Sequence, residues 1–404
     1  ATASPSSLAS CLLLMRTLVL AAFLALTAHM GTATDINVGD VTYKTAFAAT
    51  SGDLYRSTLS IFSSWTTNSP AWSSLATTGY ARVRHCYTGT NLYMVAIRTS
   101  GALRVVKYSI TDDGSNAGEP VMVSAADFTT GAMSSGVSGV FCNKGNVFVL
   151  KNADPTILYY HADVSTIVDG SAFSTLNLNS GTSSCSTPGL TTSMAGHDLF
   201  VADGDTTTTY KAYLSTDNDD KSVFKVGLSM SSNTLSVTSC MVSHNAGDGV
   251  TRLHVDTGLL RMYYFDSRTP TYSLGVLSGE NKVKYVSTSG SSTTTSTSAT
   301  TVATITDNSG NNDCYDVLVS DDIVWVACQF GTTTPTKYVK KVTDLSPTSP
   351  DDNFENIGSG GLSTMSGLQT ISVYDPSSSS VAMPSAVSAL VCALAALFGA
   401  RRLA

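Results

Sequence analysis

Residues 139–162 read GVFC-NKG-NVFVLK-NADPT-ILYYHA, three apolar runs parted by two short turns. Such runs, rich in Val, Phe, Ile and Tyr and bounded by Asn, Gly, Asp and Pro, are strand-and-turn signals. The same grammar returns on both sides. Upstream, residues 81–110 read ARVRHC-YTGT-NLYMVAIR-TSGA-LRVVKYSI. Downstream come TTSMAGH-DLFVA-DGDTTTT-YKAYLS at 191–215, VTRLHV-DTG-LLRMYYF-DSRTP-TYSLGVL at 250–277 and YDVLV-SDD-IVWVACQ-FGTTTPT-KYVKKV at 315–342. An aromatic or Met near the start of the central run anchors each copy: Tyr93, Phe148, Phe200, Met262 and Trp325, spaced 55, 52, 62 and 63 residues apart. A weaker copy surrounds Tyr55, and a last strand, TISVYD, surrounds Tyr374.

A period of this length, with three or four antiparallel strands per unit, predicts the blade of a β-propeller. One such sheet cannot bury both faces alone; stacking sheets around an axis buries each against the next. Residues 34–375, about 340 in all, divided by about 50 per unit predict an all-β, six- or seven-bladed β-propeller. Two β-sandwiches are the alternative, but sandwich strands share no recurring three-strand unit. Composition agrees. Ser and Thr number 58 and 54 in 404 residues, while only 13% of the chain is charged. Thr favours strands, Ser favours turns, and few Lys and Glu leave little material for exposed helix. Hydrophobic content of 42% excludes a disordered chain. The net charge of −7 excludes nucleic acid as a partner.

Both ends carry signals. Residues 1–14 form a leader or fragment. Residues 15–33 hold a basic Arg16, the apolar run Leu18–Thr27 and the small-x-small site Gly31-Thr32-Ala33, the parts of a secretory signal peptide. At the other end, a small polar spacer (376–385) precedes a hydrophobic tail (386–404). Those parts fit a GPI-attachment signal with Ser377, Ser378, Ser379 and Ser380 as candidate sites. A single transmembrane helix over 381–400, stopped by Arg401-Arg402, is the competing reading. Either one tethers the protein, through the membrane, to the extracellular face of the cell.

Six of the eight cysteines lie between the two signals, an even number that suits disulfides in an oxidising compartment. If Val319 faces Ile323 across the Ser320-Asp321-Asp322 turn, Cys314 falls opposite Cys328 in the same hairpin, close enough to bond. Cys86 and Cys142 end the first strand of successive copies, so pairing them, and Cys185 with Cys240, is the simplest remainder. Free buried thiols are the alternative.

No G-x-S-x-G, H-E-x-x-H or P-loop occurs. His244 and His254 flank HNAGDGVTRLH, where Asp248 would orient a base, yet no nucleophile accompanies them; His85 reads as a turn or core histidine. Asp307, Ser309, Asn311 and Asp313 place oxygen ligands at alternate positions, as a calcium loop does. The loop lacks its Gly, since Asn312 stands there, and its terminal Glu, replaced by Leu318. Solvated turns between strands therefore explain the acidic loops and no cofactor is expected; calcium is the one alternative they admit. Trp65 and Trp72, in the polar stretch SSWTTNSPAWSSL, are the candidate ligand contacts, because aromatic rings stack on sugars and anchor interfaces.

SGDLYRSTLSIFSSW (51–65) and YLSTDNDDKSVF (213–224) faintly resemble the S-x-D-x-G-x-x-W hairpin, or Asp box, of sialidase-type propellers. The first lacks the Asp, and the second has Ser215 and Asp217 but Asp219 where Gly belongs. An Asp box is structural, so the resemblance implies a fold and not an activity. A working enzyme of that family would need an arginine triad, a Tyr–Glu nucleophile pair and an acid; only Glu119, Glu280 and Glu355 stand between the terminal signals. The expectation is a non-catalytic, surface-anchored propeller that binds an extracellular protein or glycan through loops on one face. The alternatives are a sialidase-like or lactonase-like hydrolase with its site in the central channel, and an inert coat protein.

Overall fold

Every copy of the repeated hairpin becomes strand in the computed structural model of the chain. It describes residues 37–38, 41–50, 54–60, 73–76, 79–88, 91–110, 120–181, 183–218, 222–245, 250, 252–267, 271–273, 276–278, 281–288, 299–305, 312–320, 323–330, 336–342, 355–357 and 368–374. The first sheet holds β1 (Asn37–Val38), β2 (Val41–Thr50), β3 (Leu54–Ser60) and β4 (Ser73–Ala76). The second holds β5 (Tyr80–Thr88), β6 (Asn91–Arg98), β7 (Leu103–Ile110) and β8 (Pro120–Asp127). In the third are β9 (Val137–Asn143), β10 (Asn146–Lys151), β11 (Ile157–His161) and β12 (Ser174–Asn177). The fourth comprises β13 (Gly196–Asp203), β14 (Thr209–Thr216), β15 (Val223–Ser231) and β16 (Thr234–His244).

In the fifth, β17 (Leu253–Asp256) and β18 (Arg261–Ser267) are followed by a separate hairpin, β19 (Thr271–Ser273) with β20 (Val276–Ser278), before β21 (Asn281–Ser287) and β22 (Thr300–Ile305) complete the sheet. The sixth is β23 (Asn312–Ser320), β24 (Ile323–Phe330), β25 (Thr336–Val342) and β26 (Glu355–Ile357). The last strand, β27 (Leu368–Tyr374), returns to pair antiparallel with β2. β27 thus completes the first sheet. All pairings are antiparallel, and the described residues contain no α-helix, only a single 3-10 turn at Val164–Thr166.

The first strands of the second to sixth sheets, with β27 in that place for the first sheet, touch one another in a closed order: β5, β9, β13, β17, β23, β27 and back to β5. The described residues are therefore all-β, built of one five-stranded and five four-stranded antiparallel sheets in a propeller-like arrangement. Alternation along each strand explains the stacking. On β10, Val147 and Val149 pack with Tyr93, Val95 and Val140 on the side of the second sheet. Phe148 and Leu150 point the other way, to Leu199, Val201 and Leu214 of the fourth. A strand covered on both faces has no place for a polar residue, which is why the run at 147–150 is wholly apolar. The fourth and fifth sheets share a similar layer around Phe200, Tyr213, Val255 and Tyr264. Tyr263, Phe265, Val317 and Val326 join the fifth to the sixth.

Two strand assignments made from the sequence need correction. TYSLGVL at 271–277 supplies the separate β19–β20 hairpin, and the third strand of the fifth sheet is β21, which pairs with β18. Phe200 lies on the first strand of its sheet, β13, not on the second; Tyr213 of β14 stands opposite it. DLFVA is a short apolar run with turn residues on both sides, so it reads equally well as either strand. The other anchors, Tyr93, Phe148, Met262 and Trp325, do occupy second strands.

Turn chemistry follows the backbone. Lys144 and Gly145 link β9 to β10 with φ of 49° and 76°, the two-residue hairpin that needs positive φ at both positions. Gly139 has a different reason. A Cβ there would lie 2.7 Å from the Leu199 backbone nitrogen and 2.8 Å from Leu199 Cβ, so β9 and β13 approach only because the side chain is absent. Replacing Gly139 with Ala is expected to destabilise the fold by about 1–3 kcal/mol, the usual cost of overpacking. Chemical denaturation followed by circular dichroism measures it.

Candidate functional site at the hub of the sheets

The first strands share a distortion. Register shifts between Tyr80 and Arg82 on β5, Gly196 and Asp198 on β13, and Cys314 and Asp316 on β23. Comparable shifts on β9 and β27 leave Gly139 and Thr370 as the residues after the extra one. A bulge raises local twist and re-aims the side chain beside it. In the fifth sheet Arg252 stands just before β17, its carbonyl accepting from Phe265 N–H at 3.2 Å, which continues the β17–β18 register. Aligned positions on successive sheets therefore carry Arg82, Gly139, Asp198, Arg252, Asp316 and Thr370.

Four charged side chains converge from three of these strands. Arg82 Nη1 donates to Asp316 Oδ1, and Arg82 Nη2 lies 2.9 Å from Asp198 Oδ2, an ion contact off the hydrogen-bonding axis. Arg84 grips Asp316 with both nitrogens, Nη1 to Oδ2 and Nη2 to Oδ1, each at 2.9 Å. Backbone N–H groups complete the carboxylates. Asp198 accepts from Leu199 at 2.8 Å and Leu253 at 3.0 Å, and Asp316 accepts from Val317 at 3.0 Å. Arg82, Arg84, Asp198 and Asp316 are 1%, 4%, 1% and 0% exposed. Two guanidinium groups meet two carboxylates, so the net charge of the four is zero. Burying any one alone would cost several kcal/mol; together, with the bidentate geometry of Arg84, they hold one another.

The surroundings register the confinement. Burial, reinforced by the nearby Arg252, pushes Arg82 down to about 9, still charged at neutral pH. Burial opposes the charge on Arg84 as well, but Asp316 outweighs it and the guanidinium is held above its ordinary value. His85 and His254 lose water and face the Arg84 charge, and both are held down to about 3. His254 also packs its ring 4.5 Å from that of Phe200. Burial and Arg252 likewise lower His197. His244 is occupied elsewhere, its Nε2 2.9 Å from the Tyr264 hydroxyl. His244 and His254 thus serve separate contacts, and Asp248 lies outside the described residues.

Two expected disulfides are present. Cys86 bonds Cys142, joining β5 to β9, and Cys185 bonds Cys240, tying the segment after β12 to β16. The first pair is offset by one: Cys86 is four residues beyond Arg82, and Cys142 three beyond its counterpart Gly139. Disulfides of this kind belong to an oxidising, extracellular environment. Cys314 and Cys328 are backbone partners across β23 and β24, although the turn register differs from expectation. Val319 faces Val324, not Ile323, and the extra residue at Tyr315 restores the Cys314–Cys328 alignment. Their side chains lie outside the described set.

Trp65, Trp72, Asp307, Ser309, Asn311 and Ser377, Ser378, Ser379 and Ser380 lie outside the described residues, as do both terminal signals. Asp313 is placed within β23, opposite Gln329. Among the described residues no helix is long and apolar enough to cross a membrane, and no three His, Cys, Asp or Glu side chains are grouped to hold a metal. In the second Asp-box-like stretch, Asp217 Oδ1 accepts from Ala195 N–H at 2.8 Å and fastens the β14–β15 turn to the approach of β13. Sequence reasoning missed the hub cluster. Its traces were an Arg-x-Arg inside an apolar strand and an Asp opening both DLFV and DVLV.

No family model and no curated protein matches the chain. Solved structures do resemble it. A chain of a nidogen/laminin complex aligns over 82% of this protein and 98% of itself, with 8% identity and a TM-score of 0.44. A putative 6-phosphogluconolactonase from Bacteroides fragilis aligns over 85% and 99%, with 9% identity and a TM-score of 0.42. A β-propeller domain from Myceliophteria thermophila aligns over 72% and 79%, with 11% identity and a TM-score of 0.37.

Replacing Asp316 with Asn leaves Arg82 and Arg84 buried without their shared partner and is expected to cost about 3–5 kcal/mol, read by chemical denaturation. Acid should weaken the wild-type fold through the histidines. An imidazole kept neutral in the fold but protonated once unfolded binds more protons in the unfolded state, so stability falls as pH drops. The loss begins near the ordinary value of 6.5 and continues to about 3. His254→Asn should flatten the dependence of the denaturation midpoint on pH over that window; an unchanged slope counts against the assignment.

Proposed function

We propose that this chain is a six-bladed β-propeller, displayed on the outside of the cell, that binds an extracellular protein or glycan and carries out no chemistry at its centre. The observation behind this reading is the use made of the hub carboxylates. Asp198 and Asp316 are committed to guanidinium groups and backbone N–H groups in a water-poor interior. A general acid or base needs a proton to exchange with substrate and a path to reach it. These two have neither, and they work as a clasp. The sialidase-like and lactonase-like alternatives require polar groups at the same centre left open to a ligand. Six sheets whose first strands meet in cyclic order support the blade number.

Attachment is through the membrane, by way of Ser377, Ser378, Ser379 or Ser380 in a GPI signal. The disulfides Cys86–Cys142 and Cys185–Cys240 suit that location. On cells expressing the full chain, a phosphatidylinositol-specific phospholipase should release the protein into the medium. Retention after the enzyme has released a known GPI-anchored marker overturns the lipid anchor and favours the transmembrane tail. Purified protein should turn over neither a fluorogenic sialoside nor a lactone, while adhering to cell surfaces or matrix. Turnover of either substrate, lost in Asp198→Asn, overturns the non-catalytic reading.

A further inference from the structure

A groove of about 320 Å³ opens on the fourth sheet, between the turn after β13 and the outer strands β15 and β16. That volume lies at the lower end of small-molecule sites. Asp205, Thr209, Lys211, Lys225, Gly227 and Ser239 are among the residues that line it. A Cβ on Gly227 would lie 2.4 Å from Ser239 Oγ and 2.7 Å from Thr238 Oγ1. The missing side chain leaves room for these hydroxyls at the groove wall.

Two amines stand here on a chain whose net charge is −7. Lys211 Nζ is paired with Asp205 Oδ1 at 2.7 Å. Lys225 is different. Half-buried, it sits 5.8 Å from the Tyr213 ring centre and reaches the Thr288 carbonyl only at 3.4 Å. No described carboxylate lies within ion-pair distance of it. Burial, and then the Lys211 charge, lower its pKa, the strain an incoming anion would relieve.

We propose that this groove binds an acidic sugar, a unit carrying a carboxylate or sulfate, with Lys225 Nζ as the anchor for the anion. Asp205 disfavours a bare multivalent anion such as free phosphate but accepts hydrogen bonds from ring hydroxyls. Thr209 and Ser239 offer hydroxyls that both donate and accept, as sugar recognition requires. The inference rests on the partner-binding function proposed above and names one site and ligand class for it.

Calorimetry of the full chain at low salt, with three disaccharides, tests it: one bearing a glucuronate, one bearing a single sulfate, and neutral lactose. At least one acidic probe should bind about tenfold or more tightly than lactose, the worth of one charge-assisted hydrogen bond. Whichever acidic probe binds identifies the anion. Lys225→Met should reduce that affinity by a similar factor with the melting temperature unchanged, and Lys225→Arg should retain most of it. Should Lys225→Met not fold, the Lys225 side-chain amine in the wild type gives the answer by NMR, its titration moving to higher pH on saturation. Equal affinity for lactose, no binding of either acidic probe, an unaffected folded Lys225→Met protein, or an unmoved amine overturns the proposal. Loss of the sugar site with cell adhesion intact would leave the partner-binding function standing. Cleavage of a disaccharide would instead sink the non-catalytic reading.

Discussion

A strand whose side chains are apolar on both faces has to be covered twice, and the rest of this architecture depends on that. Val147 and Val149 face one neighbouring sheet while Phe148 and Leu150 face the other. The third, fourth and fifth sheets each have such a packed layer on both sides. An open row would leave two apolar faces in water at about 25 cal/mol for each Å² exposed. Closing the row into a ring removes both ends.

Closure creates a second difficulty at the axis, where the first strands crowd together and their inward side chains have little room. The chain meets it in two ways. At Gly139 it omits the side chain, so that β9 and β13 approach to backbone distance. On the second, fourth and sixth sheets it uses bulges to aim long or charged groups inward, and these neutralise one another. A purely apolar filling of the same shape would often be as stable. What the ionic version adds is a fixed relation among three sheets that are not neighbours, because each carboxylate has set partners and set angles.

Most of the fold was legible in the sequence because five of the six sheets are local units, the first three strands of each lying within about 30 residues of chain, as at 139–162. Where the local signal was ambiguous it misled. DLFVA, with turns on both sides, was placed one strand too late, and the Ser320–Ile323 turn was set one residue out. The hub cluster lay beyond reach for another reason. Arg82 and Asp316 are 234 residues apart, and nothing in either segment says that they meet; their encounter is a property of the ring. Arg-x-Arg within an apolar strand was a visible conflict between propensity and pattern, and such conflicts mark places where tertiary structure decides.

The pairing of β27 with β2 has a consequence for how the protein is made. Thr50 and Leu368 are register partners at opposite ends of the chain. At a synthesis rate of about 5–20 residues per second, β2 waits tens of seconds for the strand that covers it. Throughout that interval its unpaired edge is a template for any other extended segment, including the β2 of a second nascent chain. The newborn protein therefore passes through a period in which the edge of β2 that β27 will cover is bare. Chaperones that shield a bare strand edge would matter most before β27 emerges, and little after.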